Sequence, residues 1–136
     1  MAIHVGWDDP TTKTISRVDF EGTFDINAVF DAWQHEFVQI RTVGHRVYSL
    51  NMFNQTPALS GTGFSITKIR AFIAREPLPN LIFTVQVAEG RLVRNFLKTI
   101  ASTMSFEVHV VASLNDAYAL INAHKAASRP PSISSS

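Results

Sequence analysis

The stretch whose reading decides the fold is RVYSLNMFNQTPALSGTGFSITKIRAFI, running from Arg46 to Ile73. Its opening run, Val47-Tyr48-Ser49-Leu50-Asn51-Met52, reads as a buried strand. A polar loop, Asn54 to Gly63, carries the chain into a helix that begins near Phe64 and turns Ile66, Ile69, Phe72 and Ile73 inward. A strand feeding a glycine-containing loop at a helix N-terminus is where open α/β folds place ligands and regulatory groups. The loop holds no complete catalytic signature. It therefore reads as a binding or regulatory surface.

Upstream, Ala2 to Trp7 alternates with period two, setting Ile3, Val5 and Trp7 on one side and His4 and Gly6 on the other. Asp8-Asp9-Pro10-Thr11-Thr12-Lys13 is turn chemistry, and the paired carboxylates read as turn formers. Thr14 to Phe20 alternates again through Ile15, Val18 and Phe20, with one break in phase, which predicts an antiparallel hairpin. The period then changes. Ile26, Val29, Phe30, Trp33, Phe37 and Ile40 form a helical stripe of about four turns, with Asp31, Gln34, His35 and Gln39 opposite. Thr23 or Asp25 is the expected N-cap and Gly44 the expected stop.

Downstream, Glu76-Pro77-Leu78-Pro79-Asn80 ends the second helix. Leu81 to Val87 suits an interior strand. The next helix is expected to bury Leu92, Val93, Phe96, Leu97, Ile100 and Met104, with Arg91, Arg94 and Lys98 as a basic outer edge. Phe106 to Val111 is a fifth strand, and Ser113 to Asp116 resembles a capping box before a helix through Ala117, Leu120 and Ile121. The order β-β-α-β-α-β-α-β-α predicts an α/β fold: a mixed, mostly parallel five-stranded sheet with an N-terminal antiparallel hairpin and about four helices. One domain is expected over 1–126, followed by a disordered Ser/Pro-rich tail over 127–136.

Composition narrows the classes. Cysteine is absent, which removes disulfides, thiolate metal sites and thiol catalysis. A net charge of +1 gives no general field for nucleic acid, and no apolar run approaches membrane-spanning length. The start lacks the features of a signal peptide, so a cytoplasmic, bacterial-type protein is expected. The five histidines, His4, His35, His45, His109 and His124, show no metal-ligand spacing, and Gly-x-Ser-x-Gly does not occur. No metal or other cofactor is expected.

Three stretches resemble the STAS domain, the fold of anti-sigma-factor antagonists and of sulfate-transporter cytoplasmic domains. Phe20-Glu21-Gly22-Thr23-Phe24-Asp25 is similar to its junction between second strand and first helix. Val47 to Asn51 is similar to its central strand, and Phe106 to Ile121 to its closing strand and helix. The resemblance spans roughly residues 3 to 124. It implies a non-enzymatic regulatory module that binds a protein partner, a kinase or another regulator. The family's phosphorylated motif, Asp-Ser-Ser-Gly in type, has its closest counterpart here in Ser60-Gly61-Thr62-Gly63, with Gly61 in place of the first Ser. Thr62 takes the phosphorylatable place, Ser60 replaces the acidic residue, and Asn51 stands where the central strand often ends in Asp. Degeneration at that motif points to a divergent relative.

The candidate phosphorylation sites are thus Thr62 and Ser60, where a phosphate would meet a helix N-terminus; plain helix capping is the competing explanation. The candidate partner-binding loop is Asn51, Phe53, Asn54, Gln55, Ser60, Gly61, Thr62, Gly63 and Phe64. The light surface charge leads to the expectation of a homodimer. The alternative function is a small-ligand, lipid or anion-binding domain. Gly61-x-Gly63 is only a fragment of the dinucleotide fingerprint. Nothing in the sequence supports an enzyme.

Overall fold

A computed structural model of the chain describes residues 2–21, 26–53, 71, 78–102 and 106–128. Strands β1 (Ala2–Trp7), β2 (Ile15–Glu21), β3 (Val47–Phe53), β4 (Leu81–Ala88) and β5 (Val108–Val111) form one sheet in the order β1-β2-β3-β4-β5. The β1–β2 pair is antiparallel and every later pair is parallel. Helices α1 (Ile26–Arg41), α2 (Arg91–Ala101) and α3 (Leu114–Ser128) complete the described fold. The α/β class and the mixed sheet with its N-terminal hairpin are therefore as the sequence reads. The helix expected from Phe64 lies outside the described residues, Ala71 excepted. The last helix continues through Ser128, past the domain boundary expected at residue 126.

Asp9 holds the hairpin turn together. Its carboxylate accepts from the amides of Thr14 and Ile15, at 2.9 Å each, and from the hydroxyls of Thr12 and Thr14. Burial acts to raise its pKa, but these bonds to the charged form outweigh it and leave the group below the usual carboxylate value. Lys13 closes the turn in the left-handed region at φ 52.

The break in phase along β2 has a physical cause. Ile15 points to one face of the sheet, into a cluster with Tyr48, Leu50, Met52, Phe83, Val85 and Val87 that α3 covers through Ala117 and Ile121. Val18 and Phe20 point to the other face, where α1 lays down Val29, Ala32, Trp33 and Phe37. On that same face α2 packs Val93 and Leu97 against Ala88 and Val110. Helices α1 and α2 thus share a face, as right-handed crossovers between parallel strands taken in sequence order require. The final helix closes the other.

Two burial expectations need correcting. Leu92 is 82% exposed, not inward. The Arg94 guanidinium donates to the carbonyls of Ala88 (3.0 Å) and Glu89 (2.5 Å), pinning the start of α2 so that Val93 and Leu97 meet the sheet and Leu92 falls at the rim. Gln39 does not lie on the solvent side of α1. It is half-buried, donating to the Gly6 carbonyl (2.7 Å) and the Ser16 hydroxyl (3.1 Å). Ser113 behaves as expected: its hydroxyl accepts from the Asp116 amide at 3.1 Å and caps α3. No described helix is long and apolar enough to cross a membrane.

Candidate functional site

Alternation along β2, β3 and β4 aims a set of polar side chains at the α1 face. Ser16 stands beside Ser49, and Ser49 beside Thr84; in the next row Asn51 stands beside Gln86. All five are buried. Above them lies Glu36, one helical turn beyond Trp33, on the same stripe of α1 that buries Phe37 and Ile40. It is 1% exposed.

The hydrogen bonds all run toward this carboxyl. Ser16 and Ser49 hydroxyls both donate to Glu36 Oε2, at 2.9 and 2.8 Å. Asn51 Nδ2 donates to Ser49 Oγ at 3.0 Å, and Trp33 Nε1 donates to Asn51 Oδ1 at 3.0 Å. Gln39 feeds Ser16 from the other side. Burial pushes the Glu36 pKa up to about 7 against the opposing pull of the bonds from Ser49, Ser16 and Asn51. A carboxyl with that pKa exchanges its proton near neutral pH.

Beside Glu36 is a cavity of about 30 Å³, bounded by Trp33, Asn51, Gln86, Phe106 and Val108 among others. Among the described residues, Gln86 Oε1 is a buried polar atom with no hydrogen-bond partner. The space suits one or two waters. It falls far short of the several hundred Å³ typical of metabolite sites. Both serines donate to one carboxyl oxygen deep under α1, so the cluster is a proton-holding network.

The network is not evident from sequence, because Glu36 belongs to no catalytic motif and a charged residue does not count toward an apolar stripe. Its signals were a charged residue in register with an apolar stripe and polar residues at alternate positions of otherwise buried strands.

The opposite face carries polar contacts of its own. Arg17 Nη1 meets Asp8 at 2.8 Å and its Nε meets Asp19 at 2.9 Å, while Tyr118 of α3 donates to Asp8 at 2.8 Å. The turn reading holds for Asp9, whereas Asp8 fastens the last helix to the first hairpin. Tyr48 and His124 are joined at 2.7 Å between Oη and Nδ1, and both rings pack against Phe83. His109 contacts Phe83 from β5 and bonds Glu107 at 2.7 Å. Among the described residues no group of three or more acidic or histidine side chains is placed to share a metal ion.

Of the partner-binding loop expected from the sequence, two members are described. Asn51 is buried in the network just outlined, and Phe53 is half-buried, its ring stacked on Phe20 at 4.8 Å and 7°. Asn54, Gln55, Ser60, Gly61, Thr62, Gly63 and Phe64 lie outside the described residues. Of the basic edge, Arg94 is used internally, while Arg91 and Lys98 are exposed.

Fold and site together define an α/β domain whose mixed sheet buries a carboxyl network under its first helix. No family model, curated protein or solved structure matches the chain.

Proposed function

We propose that the chain is a non-enzymatic protein-interaction module of regulatory type, resembling the STAS domain and working in the cytoplasm. The observation that supports this reading is the topology. An antiparallel edge hairpin precedes parallel strands in sequential order, and β3 and β4 end side by side, with Phe53 paired to Ala88. That end of the sheet is where open α/β folds place their binding loops. Residues 54–64 follow β3 directly. The small size of the cavity beside Glu36 favours recognition by surface over turnover of a metabolite.

The test is affinity capture from native cells with wild type and Thr62→Glu side by side, together with mass spectrometry of the native protein. A partner kept by wild type and lost by the variant, with phosphate found on Thr62 or Ser60, supports a phosphorylation switch. Identical capture with no phosphate reduces both residues to helix caps.

Self-association belongs to the same reading. Edge strand β1, AIHVGW, carries none of the Lys, Glu, Asp or Pro residues that usually protect an edge. Pairing of β1 with its copy gives a homodimer. Light scattering that returns a monomer at high concentration rules this out. A second reading, binding of a small apolar ligand, draws on a groove of about 220 Å³ between β1 and α1, floored by Ile3, Val5, Ala28 and Ala32 and rimmed by Asp31 and His35. Fatty acids or nucleotides that leave the melting temperature unmoved dismiss it.

A further inference from the structure

We propose that the cavity beside Glu36 is a binding site for a hydrogen-bond donor the size of water or ammonium, held between the Gln86 side-chain carbonyl and the Glu36 carboxyl. Three observations meet here. The space, about 30 Å³, admits one or two such molecules and nothing larger. Gln86 is 6% exposed, lines the cavity, and presents an Oε1 without a partner among the described residues. An acceptor buried in that state costs free energy that one donated bond removes. Glu36 lines the same space, and a carboxyl has acceptor capacity beyond the two serine bonds on Oε2.

The surroundings select for a donor. Helix α1 brings Trp33, Phe37 and Gln39 toward Glu36; β2 brings Ser16, β3 brings Ser49 and Asn51, and β4 brings Thr84 and Gln86. None of these is charged. Among the described residues no cation offsets an ionised Glu36, and an uncompensated buried carboxylate is expensive. Ammonium fills the site with a matching charge when Glu36 is ionised, and water fills it as a neutral bridge. A proton on Glu36 removes the advantage of ammonium. Burial sets that protonation near neutral pH.

A high-resolution crystal structure of the full chain is expected to show density within hydrogen-bond distance of Gln86 Oε1 and Glu36, and Gln86→Leu is expected to lose it. A dry cavity in wild type overturns the site, as does density that persists unchanged in Gln86→Leu. Melting in ammonium chloride against sodium chloride separates the ligands. Ammonium raises the melting temperature by about 5 °C more than sodium does, at roughly tenfold its dissociation constant and about pH 8. The difference vanishes at about pH 5 and in Glu36→Gln, a variant of the same shape that keeps the test open if Gln86→Leu does not fold. Equal melting in the two salts, with the density present, assigns the occupant as water.

Discussion

On the α3 side of the sheet, Ile15, Leu50, Met52, Phe83, Val85 and Val87 close on Ala117 and Ile121 as an apolar layer. On the α1 side, the intervening residues of the same strands include Ser16, Ser49, Asn51, Thr84 and Gln86, roofed by Glu36 and set beside the apolar patch of Val18 and Phe20. Both sides are buried. Alternation therefore separates two kinds of interior here and does not divide inside from outside. The apolar layer needs only volume and shape. The polar layer needs each group paired, and its cohesion depends on a proton.

The sharpest break between the two comes from deleting volume on the apolar side. Leu50→Ala, at a fully buried position, is expected to cost about 2–5 kcal/mol, equally at acid and neutral pH, in denaturant titrations. A cost that varied strongly with pH would show that the two layers are not independent.

Glu36→Gln acts on the polar side and in the opposite direction. The folded pKa, about 7, lies above the ordinary value of 4.5, so the contribution to stability is complete below about pH 4.5 and is lost as pH rises through 7. Wild type should forfeit roughly 3 kcal/mol across that window. The glutamine keeps an acceptor for both serines and has no proton to lose. It should match wild type near pH 4 and exceed it by up to roughly 3 kcal/mol near pH 8. Parallel stability curves for the two proteins would contradict the assignment of Glu36 as the titrating group.

Ser49→Ala removes one donor to Glu36 and the acceptor for Asn51. A loss of about 1–3 kcal/mol is expected, larger at pH 8 than at pH 5, because the missing bond favours the charged form. The Glu36 carboxyl resonance, followed by NMR, should titrate at higher pH than in wild type. The smallest change lies away from both layers. Ser113→Ala should cost about 1 kcal/mol at any pH and speed hydrogen exchange at the Asp116 amide; unaltered exchange would deny the cap.

Much of the architecture is legible from periodicity. The stripe from Ile26 to Ile40 marks α1, and the runs from Val47 and Leu81 mark the central strands, because burial repeats with the geometry of each element. The site was not legible for the same reason. Periodicity reports which face is covered, and a charged residue in a covered stripe is ordinarily taken as an irregularity. Only the register that sets Ser16 beside Ser49, and both beneath Glu36, shows that the irregularity is satisfied. Leu92 teaches the converse: its place beside Val93 suggested burial, and the carbonyls that Arg94 reaches turned it out. Tyr118 with Asp8, and Tyr48 with His124, join residues too distant in sequence for any local pattern to pair.

The position of α3 in the chain matters for how the protein is made. It is the only described helix on its face, and it is synthesised after every strand it covers. Until Leu114 and the residues after it leave the ribosome, the apolar surface of Leu50, Met52, Phe83 and Val85 lacks the cover that α3 gives it. Nascent chains paused there are the form most prone to stick to one another and most in need of a chaperone. A premature stop before the last helix should therefore yield aggregate.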